Sequence, residues 1–165
     1  THADTVRLVK SPSELAAAFR AQGLKVTPQR QLLFTLLEGD TTHPTAEGLH
    51  ARASAQMPGI SLRTVYSTLT DLVAMGELQA VCVGSGATRF EPNVAHHHHG
   101  VCDNCGAIVD MYVDRAEAMG ATFDDRFVPN SASIVFHGVC ATCVDRDVDV
   151  HSQSPNTPIK EHHHG

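Results

Sequence analysis

The chain reads as an α+β protein: an N-terminal winged helix-turn-helix unit followed by a small C-terminal α/β unit held by a four-cysteine zinc site. Three observations predict this. Apolar residues recur at helical spacing as far as Gly76, the period switches to two from Leu78, and two Cys-x-x-Cys pairs, Cys102/Cys105 and Cys140/Cys143, bracket the C-terminal part.

The first helix opens at Ser11-Pro12-Ser13-Glu14, which matches an N-cap, a proline in the first turn and a capping-box glutamate; it runs through Leu15 to Ala21 and stops at Gly23. Thr27-Pro28 starts a second, whose stripe of Leu32, Leu33, Leu36 and Leu37 ends at Gly39. A third runs from Thr45 to about Ala55, before Pro58-Gly59. The fourth begins at Ser61 and sets Leu62, Val65, Tyr66, Leu69, Leu72 and Val73 on one face until Gly76.

Leu78 to Val83, a Gly84-Ser85-Gly86 turn and Ala87 to Glu91 then read as a hairpin, the wing. In a winged helix the helix before the wing enters the major groove with its N-terminal residues foremost, here Ser61, Arg63, Thr64 and, one turn on, Tyr66. Residues 92–95 read as a hinge. Beyond it the sequence predicts a strand from His97 to Val101, a turn at the first cysteine pair, a strand from Ala107 to Val113, a short helix from Asp114 to about Ala121, and a strand from Ala132 to Gly138 that delivers Cys140. The expected division is a tail over residues 1–10, a winged-helix unit over 11–91, the hinge, a metal-binding unit over 96–144 and a disordered, polar tail over 145–165.

Composition narrows the function classes. Among 165 residues 42% are hydrophobic, enough for a buried core. No apolar run approaches the roughly 18 residues of a transmembrane helix, and Thr1 to Lys10 carry no signal-peptide core, so a cytoplasmic protein with no membrane partner is expected. Residues 1–91 hold eight basic and eight acidic side chains, whereas residues 92–165 hold four against ten. Nucleic acid, if bound, is therefore a matter for the N-terminal half.

A reducing compartment makes spaced cysteine pairs metal ligands rather than disulfides. Two such turns complete a thiolate tetrahedron with no open position, which suits structural Zn²⁺. The fifth cysteine, Cys82, falls in an alternating stretch and is expected to be a half-buried strand residue. In the run His96-His97-His98-His99, strand alternation lets His97 and His99 share one ion while His96 and His98 face the other way. Asp110 and Glu91 are carboxylates within reach of the first pair. Spacing alone leaves His43 a loop residue.

Taken together, Gly23 to Arg30, His43-Pro44-Thr45-Ala46, Arg63-Thr64-Val65-Tyr66, Arg89-Phe90-Glu91, His97 to Gly106 and Gly138 to Cys143 fall in the order found in ferric-uptake-regulator (Fur) repressors. The chain resembles that family over about residues 13–143, and most resembles its peroxide-response branch. The resemblance implies a non-enzymatic, metal-dependent repressor that binds a double-stranded DNA operator as a homodimer, through residues 11–91, and dimerises through 96–144. It implies structural zinc on Cys102, Cys105, Cys140 and Cys143, and a regulatory ion, Fe²⁺ or Mn²⁺ with Ni²⁺ or Zn²⁺ as alternatives, on His43, Glu91, His97, His99 and Asp110. A third family site would take His96, His98 and Glu117, but Ala132 stands where its fourth ligand, a histidine, is usual.

For DNA, the resemblance sets Lys25 near the minor groove and Tyr66 against bases, with Arg30, Ser61, Arg63 and Thr64 as further contacts. Ser67, rather than the arginine typical of iron-uptake repressors, favours the peroxide branch; Glu91 stands where peroxide sensors carry aspartate, so the ligand set is mixed, and the alternative within the family is an iron, nickel or zinc uptake regulator. In peroxide-type relatives oxidation of a ligand histidine, here His43 or His97, releases the DNA. Two other classes are weighed. A zinc hydrolase lacks a His-Glu-x-x-His helix and a general base, and a metal-storage or chaperone protein would use the twelve histidines, including His162 to His164, without DNA.

Overall fold

The computed structural model describes residues 10–83, 86–113, 126–128 and 132–152. Four helices come first: α1 (Pro12–Ala21), α2 (Pro28–Leu37), α3 (Ala46–Gln56) and α4 (Leu62–Ala74). Each is started by a hydroxyl side chain, Ser11, Thr27, Thr45 or Ser61, accepting from a backbone N–H of the first turn, and Ser11 and Glu14 close the expected capping box. Such a cap is worth about 1 kcal/mol.

Leu15, Phe19, Leu33, Phe34, Leu37, Leu49, Val65, Leu69 and Leu72 are fully buried between these helices, with the Phe19 and Phe34 rings edge to face. Strands β1 (Gln79–Val81) and β2 (Arg89–Glu91) pair antiparallel, Gln79 opposite Glu91, and Phe90 closes the core. The wing strands are shorter than the alternation predicts, and Gly84-Ser85 lie outside the described residues. Cys82 falls just past β1 and is exposed, not half-buried; the ladder ends at Val81, so alternation no longer turns the next side chain inward.

Strands β3 (His98–Cys102), β4 (Ile108–Met111) and β5 (Val135–Gly138) form a second sheet in the order β4-β3-β5, with β3 antiparallel to β4 and parallel to β5. Its pairing sets His99 opposite both Asp110 and Val135. Little apolar surface is buried here: Cys102, Ile108 and Cys143 are the buried apolar side chains of this part among the described residues, while Val109, Tyr112, Phe136 and Val139 are exposed.

The final element, α5 (Ala141–Ser152), corrects the expected tail, because helix continues past residue 144. Backbone bonds from Cys143 and Val144 to the Cys140 carbonyl form its first turn, and propagation from a formed turn costs little even through a charged sequence. The expected helix after Asp114, with Glu117, and the histidines at 162–164 lie outside the described residues.

Candidate metal centres and nucleic-acid face

Two ligand clusters assemble among the described residues, and they are the two expected: Cys102, Cys105, Cys140 and Cys143, and His43, Glu91, His97, His99 and Asp110. In each, one potential ligand atom per residue lies within 4.8 Å of the others.

The thiol cluster is built by two turns. After β3, Gly106 adopts φ +72° and its N–H returns to the Cys102 carbonyl at 2.8 Å, a left-handed position glycine takes without strain. Asp103 N–H bonds the Gly138 carbonyl at 2.8 Å, which docks the second turn on the first. The Cys140 N–H lies 3.3 Å from Cys102 Sγ, and Cys105 and Cys140 sulfurs are 3.7 Å apart. Backbone N–H groups, that of Cys140 foremost, pull the Cys102 thiol below its ordinary value, whereas hydrogen bonds to the neighbouring sulfurs, Cys105 first, push Cys143 up. Four free thiols sharing protons in one knot, one already favoured as thiolate, fit a closed tetrahedral cation site.

The second cluster spans the two halves of the chain. Asp40 accepts from the Thr42 N–H and hydroxyl and pairs with Arg52, fixing the loop that leads to His43. His43 is held at φ +50°, a region unfavourable for a β-carbon, and the segment is stitched to the wing by Phe90 N–H to the Pro44 carbonyl at 2.9 Å. One strand, β2, thus seats the His43 loop and carries Glu91. Sheet register does the rest, putting Asp110 across from His99.

Inside, His43 Nε2 lies 2.8 Å from Asp110 Oδ1 and 3.8 Å from Glu91 Oε2, and His99 Nε2 lies 2.9 Å from Glu91 Oε2. His97 Nδ1 is 2.7 Å from the Ala95 carbonyl, which can only accept, so this nitrogen carries the proton and Nε2 presents a lone pair. That lone pair faces Glu91 Oε1 in close contact and Asp110 Oδ1 at 3.6 Å.

Three acceptors in a dry site repel unless a proton or a cation lies among them. The three, His97 Nε2, Glu91 Oε1 and Asp110 Oδ1, are buried without a hydrogen bond, and so are both ring nitrogens of His43. Burial, reinforced by Asp110 and opposed by His97, raises Glu91 to about 7. Desolvation, the largest cause in each case, depresses His43 and His99 and keeps those imidazoles neutral. Neutral imidazoles and carboxylates that need a positive partner fit a borderline divalent metal ion.

His96 and His98 face away as alternation requires. His96 Nε2 sits 2.9 Å from the Ala132 carbonyl, and His98 Nδ1 accepts the Ile134 N–H at 3.2 Å. Both rings are thus engaged by the chain entering β5. No third ligand joins them among the described residues.

Among the expected DNA contacts, Ser61 caps α4 by accepting the Thr64 N–H at 3.1 Å, Arg63 is exposed at its first turn, and Tyr66 is exposed with its hydroxyl donating to Glu47 at 2.6 Å. Lys25 is exposed in the α1–α2 connection. Arg30 is turned inward: it bonds Asp71 at 2.8 Å and the Lys25 carbonyl at 3.0 Å and stacks on Phe19. Sequence reading missed Asn93, whose buried amide joins the hinge to Asp110; a lone asparagine after Pro92 gives no signal beyond a turn.

Four helices closed by a hairpin wing, with a four-thiol cluster and a histidine-carboxylate cluster that joins the two halves of the chain, fit a metal-binding winged-helix protein. A sequence profile described as the Ferric uptake regulator family matches residues 21–137. The peroxide-responsive repressor PerR of Staphylococcus aureus (strain Mu50 / ATCC 700699) is 32% identical over 136 residues, covering 81% of this chain and 91% of that protein. Among solved structures, a zinc-bound manganese uptake regulator matches at 26% identity and TM-score 0.63 over 79% of this chain and 99% of the other. The Vibrio cholerae ferric uptake regulator matches at 27% and 0.61 over 76% and 99%. The chain belongs to the ferric uptake regulator family.

Proposed function

We propose that the protein is a peroxide-responsive repressor in which Fe²⁺ or Mn²⁺, held by His43, Glu91, His97, His99 and Asp110, fixes a homodimer in its operator-binding form, with Zn²⁺ on the four cysteines maintaining the C-terminal unit. The observation that carries this is the buried, unsatisfied cluster joining the His43 loop and the wing to β4. The similarity to PerR proteins and Ser67 support the peroxide branch.

His43 and Glu91 belong to the helical half, and His97, His99 and Asp110 to the sheet. Ligation of all five fixes the angle between residues 11–91 and the C-terminal unit across the hinge at 92–95. In a symmetric dimer that angle sets the spacing of the two α4 helices, which must match successive half-sites one turn, or a multiple, apart. Metal and DNA affinities are then linked reciprocally. Shifting the protein from 1:99 to 99:1 closed takes ~5.5 kcal/mol of preferential metal binding, within the scale of five ligands.

Bound Fe²⁺ would supply one-electron reduction of H₂O₂ beside the ligand imidazoles, so His43 and His97 are the side chains to be oxidised. Lys25, Ser61, Arg63, Thr64 and Tyr66 are the proposed DNA contacts, with Arg30 supporting α2 and α4.

Glu91 favours a second reading, an iron, manganese, nickel or zinc uptake regulator, to which the 26% similarity with a zinc-bound manganese uptake regulator adds weight. The deciding experiment selects duplexes from a random pool with Mn²⁺-loaded protein, then measures binding with Fe²⁺, Mn²⁺, Ni²⁺ and Zn²⁺, each with and without H₂O₂. Loss of binding by the Fe²⁺ form alone is expected. An Fe²⁺ form indifferent to peroxide selects the uptake reading.

A further inference from the structure

Asn93 lies in the hinge, two residues after Glu91, and is 5% exposed. A buried amide must place both hydrogens and its oxygen. Its Oδ1 accepts the Ala95 N–H at 3.2 Å, closing a local turn. Its Nδ2 is shared between Asp110 Oδ2 at 3.1 Å and the Tyr112 hydroxyl at 3.0 Å. The other Asp110 oxygen, Oδ1, is the one directed at His43 and His97, and it is buried without a hydrogen bond.

Resting on the regulatory-metal reading, we propose that Asn93 is a positioning residue that reserves Asp110 Oδ2 for itself and so makes Asp110 a single-oxygen ligand. The consequence concerns reactivity. With one donor atom from each, His43, Glu91, His97, His99 and Asp110 would offer an ion five atoms, one fewer than with both Asp110 oxygens turned inward, and a small ligand of the size of water or peroxide would find room there. Without the amide, Oδ2 is free to turn onto the same ion and fill that position. Neighbours that orient ligands in this way commonly tune metal sites. The bond also ties ligand geometry to the hinge, because the same side chain closes the 93–95 turn.

A purely structural role for Asn93 would lie in that turn alone, and substitutions separate the two. Serine can imitate the turn through its hydroxyl but is too short to reach Asp110. Tyr112→Phe removes the amide's other partner, together with the hydroxyl's own bond to Asp110, and leaves the Asn93–Asp110 bond in place. The probe is Co²⁺, titrated into full-length protein whose thiolate site is filled with Zn²⁺ and followed by visible absorption, with azide as the small added ligand.

The wild type and Tyr112→Phe are expected to show an intense five-coordinate band that azide shifts. Asn93→Ser, with zinc content and thermal transition retained, is expected to show a weaker six-coordinate band at shorter wavelength, insensitive to azide. A wild-type band and azide response in Asn93→Ser overturns the positioning role alone. Absence of any such Co²⁺ band in the wild type overturns the metal site as well.

Discussion

His43 Nε2 lies 2.8 Å from Asp110 Oδ1, one from the loop before α3 and the other from β4. No hydrogen bond satisfies either atom, although both are buried. The pair sets the two halves of the chain on either side of a space that calls for a cation. His43 reaches it only by accepting a left-handed backbone.

His43→Asn tests what that backbone is for. Asparagine tolerates positive φ better than histidine, so the metal-free variant should unfold no earlier than wild type in urea, while losing one ligand and at least tenfold in Mn²⁺ affinity. A destabilisation above about 2 kcal/mol with unchanged Mn²⁺ affinity would make His43 a packing residue.

The pH dependence follows from Glu91. With the cluster empty its carboxyl keeps a proton up to about 7, well above the ordinary carboxylate range. In the metal-free fold this raised pKa adds stability below the ordinary carboxylate value that is lost as pH climbs through about 7. Metal binding works in the other direction, since the proton must leave first. Mn²⁺ affinity should therefore rise through pH 7, with about one more proton released per ion at pH 6 than at pH 8. Calorimetry in buffers of different ionisation enthalpy reads this, and equal proton release at both pH values would remove Glu91 from the ligand set.

Zinc removal should act on one half only. The helical core is built from side chains such as Leu15, Phe19, Phe34 and Leu72 and needs no metal, whereas the C-terminal sheet buries little apolar surface beyond Ile108 and two of the cysteines. Chelation, or Cys102→Ser, should abolish amide protection in β3 to β5 and leave that of α1, α2 and α4. Hydrogen exchange resolves the two. Protection lost together throughout would mean that the halves fold as one.

Arg63 and Arg30 should separate recognition from support. Arg63→Ala, exposed at the start of α4, should cost about 1–3 kcal/mol in DNA affinity with an unchanged thermal midpoint. Arg30→Ala removes the Asp71 pair and the contact over Phe19, and should lower stability by about 1 kcal/mol while leaving the salt dependence of DNA binding alone. The opposite pattern would put Arg30 on the phosphate backbone.

How much of this was legible in the sequence depends on the range of the signal. Caps at Ser11, Thr27, Thr45 and Ser61 and glycine stops gave the helices almost to the residue, because those signals are local. Alternation correctly sent His97 and His99 one way and His96 and His98 the other. It failed at Cys82, where the ladder ends early, and composition failed at α5, where the cysteine turn starts a helix through residues that read as a tail. His43 entered only through family resemblance. Its place depends on β2 gripping Pro44, a long-range contact that no spacing encodes. Asn93 was invisible for the same reason, since its meaning lies in register with Asp110.

The central claim is that one ion, gripped from both halves of the chain, sets DNA affinity. Its most direct test titrates Mn²⁺ into zinc-replete wild type and His97→Ala at fixed concentrations of a selected duplex, following fluorescence anisotropy. The clamp predicts a steep Mn²⁺-dependent gain in wild type, and in His97→Ala a flat, weak response with zinc content and dimer mass intact. Equal operator affinity of the two proteins across the Mn²⁺ titration would contradict it.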